Sequence, residues 1–145
     1  MDLNPSQPPF KKGGKNMDLK YFADKKLAFA LIKNGKILYK SKGQGLKPLI
    51  FCVKNYKAQM RGATVYDKVV GHAAALLFVY GRVKEIMTPL ISQSAVVLFR
   101  EKGVKYEYGK MVKLITNRQG SDLCPMEKLS QEKGGENFIK LILDK

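Results

Sequence analysis

Two apolar runs, LAFALIK from Leu27 and KILYK from Lys36, flank Asn34-Gly35. Both turn residues tolerate positive φ, so the pattern predicts a hairpin closed by a two-residue type I′ turn. SKGQG, from Ser41 to Gly45, reads as a loop. From Leu46 to Arg61 the apolar positions recur at helical spacing. Leu49, Cys52, Val53 and Tyr56 form one stripe, Pro48 falls in the first turn, and Gly62 ends the helix. The run from Val69 to Tyr80 is apolar on nearly all sides, which predicts a helix buried all round. Asp67 stands ahead of it as the expected N-cap, and Gly81 closes it. Arg82–Thr88 reads as a strand ending at Pro89. Ser92–Gly103 reads as a helix capped by Ser92 or Ser94 and stopped by Gly103. VKYEY and MVKLIT read as two short strands with Gly109 between them. CPMEKLSQEK is a helix with Pro125 in its first turn, Gly134-Gly135 breaks it, and a last helix follows.

Hairpin, helix, then helix–strand–helix–strand predicts an α/β fold. The expected form is a three-layer α-β-α sandwich around a mixed sheet of four to five strands. Residues 1–16 (MDLNPSQPPFKKGGKN) show no periodicity and are expected to be a disordered extension, with residues 17–145 forming a single domain. Met17-Asp18-Leu19 repeats the opening tripeptide, which makes Met17 a candidate start.

Composition narrows the picture. At 145 residues and 45% apolar, the chain can bury a sizeable core. No apolar run approaches the roughly 20 residues of a membrane helix. Two distant cysteines, Cys52 and Cys124, are too few for a disulfide scaffold, and a reduced, cytoplasmic protein is expected. The net charge of +15 is uneven. Residues 1–62 hold 14 basic side chains against 3 acids, and residues 63–145 hold 13 against 9. Such a basic half attracts nucleic acid or an anionic ligand. Only four of the 27 are Arg, so bidentate recognition of phosphates or bases has little to draw on.

The chemically capable residues gather at predicted element ends. Asp67 and Lys68 stand at the mouth of the buried helix, as cap and solvated charge or as anchors for a phosphate or carboxylate. His72, the only histidine, is either a core residue with one hydrogen bond or an acid–base group. Asn117 and Arg118 follow a strand, where ligands sit in open α/β sheets. Cys124 precedes Pro125 at a helix start, which lowers a thiol pKa. Asp122 and Glu127 oppose that lowering. Glu127 also has a structural reading, as the return arm of a capping box. GQG lacks the remaining residues of a phosphate loop.

GLKPL (Gly45–Leu49), DKVVGHAAALL (Asp67–Leu77), SQSA and ITNRQGSDLCPMEKL (Ile115–Leu129) together resemble a family of small bacterial and archaeal proteins of unknown function. That family is similar in fold to cytidine deaminases. The resemblance spans roughly Leu19 to Leu143 and implies one side pocket, where the buried helix starts. It does not carry zinc chemistry to this chain. A zinc deaminase needs a Glu two residues after its first ligand and a Pro-Cys-x-x-Cys helix start. Here the first position is Ala74, and the second segment reads TPLISQSA. No metal or other cofactor is expected.

The reading that follows is a small-ligand protein, or a non-zinc enzyme, for a nucleotide or nucleoside-like molecule. Its pocket would draw on Asp67, Lys68, His72, Ser92, Asn117, Arg118, Cys124 and Glu127. The alternatives are a Lys-rich nucleic-acid binding module and a homo-oligomeric assembly subunit without catalysis.

Overall fold

The computed structural model describes residues 22, 24–43, 45–115 and 125–144. The expected disordered extension therefore lies outside the described residues. The elements are β1 (Phe29–Lys33), β2 (Lys36–Ser41), α1 (Lys47–Asn55), α2 (Lys57–Met60), β3 (Thr64–Asp67), α3 (His72–Gly81), β4 (Glu85–Ser92), α4 (Gln93–Lys102), β5 (Lys105–Val112), α5 (Pro125–Lys133) and α6 (Gly135–Leu143).

They build one five-stranded mixed sheet, order β2-β1-β3-β4-β5. The β1–β2 hairpin turns at Asn34 and Gly35, with φ of 53° and 77°, the positive values that a type I′ turn requires. β1 pairs antiparallel with both β2 and β3, whereas β4 runs parallel to β3 and β5 parallel to β4. Side chains alternate between the two faces, as strand geometry requires. Phe29, Leu31, Val65 and Ile86 face the main core beneath the helices. Ala30, Ile32, Tyr66 and Met87 form a smaller cluster on the other face, covered by Phe22 and Leu27. The named helices all pack on the main-core face, and the mixed sheet with its helices is the α/β arrangement expected.

α3 is the centre of the main core. Ala73, Ala74, Ala75, Leu77 and Phe78 are all 2% exposed or less. Burying Leu77 and Phe78 alone contributes about 1.5–3 kcal/mol each relative to exposure. Gly81 is the last helical residue, and Arg82, at φ 60°, supplies the left-handed cap expected of Gly81. A Cβ at Gly81 would lie 2.7 Å from Met60 Cε, so a larger residue there would push the end of the Met60 side chain aside.

Three expectations change. The single helix expected over Leu46–Arg61 breaks at Tyr56, whose φ of −127° and ψ of 27° are not helical. β4 runs through Pro89 to Ser92. On its β3 side the bonds past Met87 use Leu90 O and Ser92 N, both paired to Val70, so proline's missing N–H falls between ladder bonds. Thr88 Oγ1 bridges the same spot, donating to Leu90 O and accepting from Leu90 N. The two strands expected around Gly109 are one, because pairing to β4 continues from Thr88↔Tyr108 to Leu90↔Lys110. A fourth difference matters most. β3, the middle strand of the sheet, lies in a segment expected to lead straight from one helix to the next, and α3 starts at His72 rather than Val69.

Candidate functional site

The sheet register brings three lysines together. Phe29, at the start of β1, pairs with Ser41 at the end of β2 and with Asp67 at the end of β3. Lys42 and Lys68 follow those pairs directly, and Lys26 stands in the turn that leads into β1, so the three come to the same end of the sheet, and all three are exposed. They rim a cleft of about 560 Å³, a size suited to a small ligand. Its walls are Leu27, Ala28, Leu46, Val69, Ala73, Ala74, Ile115 and Met126. Asp67, Gly71 and Glu127, with Gly43 and Gly45, complete the lining. The cleft lies beyond the carboxyl end of β3, beside the first turn of α3, the general location of ligand sites in open α/β sheets.

The first turn of α3 is capped from a distance. The expected cap, Asp67, ends β3 five residues before the helix. Gly71 occupies the N-cap position and has no side chain to offer. The free amides of His72 and Ala73 donate instead to the Glu127 carboxylate on α5, at 2.9 Å to Oε2 and 2.8 Å to Oε1. Glu127 thus caps α3, while Cys124, its partner in the expected capping box, lies outside the described residues. A carboxylate is well placed there because orphan N–H groups and the helix dipole both favour negative charge. Glu127 is 4% exposed, so these bonds are shielded from water. Gly71 makes room for it: a Cβ at 71 would lie 2.6 Å from the carboxyl carbon and both oxygens.

His72 is half-buried and takes part in the same clamp. Its Nδ1 lies 3.0 Å from Ser130 Oγ, while Ser130 Oγ donates to Glu127 O at 2.9 Å. With the hydroxyl proton used there, Ser130 accepts from Nδ1–H, which defines the tautomer. Burial lowers the imidazole pKa, and the Glu127 charge opposes this. The ring is thus a docking contact between α3 and α5, and it is not among the cleft lining residues. Ser92 is also elsewhere. Fully buried at the start of α4, it accepts from Ala95 N at 3.2 Å and lies 3.1 Å from Ser94 Oγ. Asn117, Arg118 and Cys124 lie outside the described residues.

Asp67 is 6% exposed, and burial drives its carboxyl well above the usual carboxylate range. Backbone N–H groups of Val69 and Lys68 pull the other way.

Of the residues expected at the site, Asp67, Lys68 and Glu127 line one cleft. Lys26, Lys42, Leu46 and Met126 were missed. Hairpin register brings Lys42 to the end of the sheet where the turn holding Lys26 enters β1. No comparable sequence signal exists for Met126. Among the described residues, no three His, Cys, Asp or Glu side chains gather as a metal site would require.

The architecture and cleft define a small α/β protein of the mixed-sheet class with a basic side pocket. The chain belongs to the family described as a domain of unknown function, DUF1893 (TM1506), whose model matches residues 18–145. It is similar to the crystal structure of a DUF1893 family protein, TM1506, from Thermotoga maritima. The two share 30% identity at a TM-score of 0.74, over 87% of this chain and 82% of that one. Acinetobacter baumannii RibD, in forms 2 and 1, is more distant. Identity is 16% and 17%, with TM-scores of 0.44 and 0.46, over 81% of this chain and 33% of that one. No curated protein matches the chain. Among the described residues, no helix is long and apolar enough to cross a membrane.

Proposed function

We propose that the protein binds a small phosphate-bearing, nucleotide-like molecule in the cleft beside α3. The observation that carries this reading is the convergence of Lys26, Lys42 and Lys68 around a mostly apolar cleft that also holds the buried acid Asp67. The lysines attract and neutralise a phosphate group. The alanine-lined wall, with Leu46, Val69 and Met126, accepts the flat face of a base. Asp67, its carboxyl raised by burial, supplies a hydrogen-bond partner for the edge of a base. Glu127 already occupies the α3 amides, so the phosphate is held by side-chain charge rather than by the helix start. Water activation by zinc forms no part of this reading. The buried, free Cys52 thiol, pushed up to about 12 by burial, is unreactive and suits a reduced cytoplasmic setting.

Thermal unfolding of the full chain with the four nucleoside monophosphates, their parent nucleosides and inorganic phosphate tests the reading. At a ligand concentration of 100 Kd the folded state gains about 2.7 kcal/mol. At least one monophosphate is expected to raise Tm above both its nucleoside and phosphate alone. The Lys42→Ala/Lys68→Ala double variant is expected to lose that rise. A panel in which no monophosphate raises Tm overturns the reading.

A further inference from the structure

Between Asp24 and Asp67 the chain has no acidic residue, while Lys and Arg occur ten times. This segment folds as β1, β2, α1 and α2, so its charge is gathered at one end of the sheet, with β2 outermost. On α1, Lys47, Phe51 and Lys54 follow at i, i+4 and i+7. They share one helix face, and all three are exposed. Phe51 is 44% exposed. Its inner face is stacked on Tyr39 of β2, with centroids 5.0 Å apart and planes 23° from parallel. Tyr56 completes the cluster, 5.9 Å from Tyr39 and 6.1 Å from Phe51. Tyr39 and Tyr56 are packed against the main core, which holds the cluster in place.

Core packing accounts for the two tyrosines but leaves much of the Phe51 ring in water. A solvated charged face accounts for the lysines but not for a fixed aromatic among them. Together they match the two needs of a flexible polyanion carrying flat rings: positive charge for the backbone and a π-face for the bases. Duplex bases are already stacked on each other, so the partner must present unpaired bases. The excess of Lys over Arg favours phosphate neutralisation without base reading.

We propose that the β2–α1 edge binds single-stranded nucleic acid, with bases stacking on Phe51 and Lys47 and Lys54 meeting the backbone. None of Lys47, Phe51 and Lys54 lines the cleft. Fluorescence anisotropy of the full chain with labelled thymidine and uridine oligonucleotides of about a dozen bases tests it, across a salt series starting near about 50 mM. Binding is expected to weaken linearly in log–log terms as salt rises. Phe51→Ala is expected to lower affinity about tenfold, the size of one lost base stack. Phe51→Leu keeps apolar bulk and is expected to lose as much. Lys47→Glu with Lys54→Glu is expected to lose more and to flatten the salt slope. The proposal is overturned by absence of binding at low salt, or by full affinity in Phe51→Ala or Phe51→Leu. It is equally overturned if Phe51→Ala abolishes binding to phosphatidylserine vesicles while leaving oligonucleotide binding intact.

Discussion

Two helices of this protein start in different ways. α4 is capped by its neighbour in sequence: Ser92 accepts from Ala95 N, three residues on. α3 is capped by Glu127, a residue 55 positions from His72, through a gap that only Gly71 leaves open. The local cap leaves its helix independent of the rest of the chain. The distant cap ties α3 to α5 and encloses the cleft wall that Gly71, Ala73 and Glu127 share. It also decides how the cleft treats anions, because the helix amides are already taken and the three lysines must supply the attraction.

The contrast breaks most visibly at Glu127. Glu127→Ala removes two charge-assisted hydrogen bonds and leaves two shielded N–H groups unpaired. It is expected to cost about 3 kcal/mol, read from urea unfolding. A cost below about 1 kcal/mol would show that water or another group caps α3 equally well. Gly71→Ala comes next, at about 2 kcal/mol, because its Cβ displaces the carboxylate. In the Glu127→Ala background the same change is expected to cost far less, and a double-mutant cycle reads the difference. Additive costs would mean that Gly71 serves its own backbone rather than the cap. Ser92→Ala is the smaller partner of the comparison, at about 1 kcal/mol, with no coupling to Gly71.

The smallest effect is one of pH. Asp67 has a raised carboxyl in the folded state, so folding favours its protonated form. Its contribution is complete below the unfolded carboxyl pKa near about 3.9 and declines as pH rises through the folded value. Stability of Asp67→Asn, measured against the parent protein, is therefore expected to improve as pH increases across that window. A flat difference would mean that Asp67 is ionised and compensated in the fold.

The same contrast marks what was legible in the sequence. The hairpin at Asn34-Gly35, the Ser92 cap and the Gly103 stop follow from local chemistry, and the structure has each of them. The burial expected all round α3 holds on its core side, whereas Tyr80 is exposed and His72, Leu76 and Val79 are half-buried. β3 was not legible. It has four residues, Thr64–Asp67, and is buried between β1 and β4. Its identity as a strand comes from pairing on both sides rather than from a pattern of its own. Missing it moved the start of α3 forward and made Asp67 look like a cap. The site was half legible for the same reason. Asp67, Lys68 and Glu127 stood out as charges near element ends, whereas Lys42 joins them through the register of β1 with its two neighbours and Lys26 through the turn that leads into β1. His72 drew notice as the lone imidazole, yet its bond to Ser130 makes it a packing contact between α3 and α5.

The claim on which the functional account rests is that this register builds an anion-binding cleft. Isothermal titration of whichever nucleoside monophosphate stabilises the protein most, into the full chain and into Lys42→Ala/Lys68→Ala, tests it directly. The account predicts saturable one-to-one binding to the parent and at least about tenfold weaker binding to the variant, a difference of about 1.4 kcal/mol. Equal affinity in the two proteins, or no binding heat in either, would contradict it.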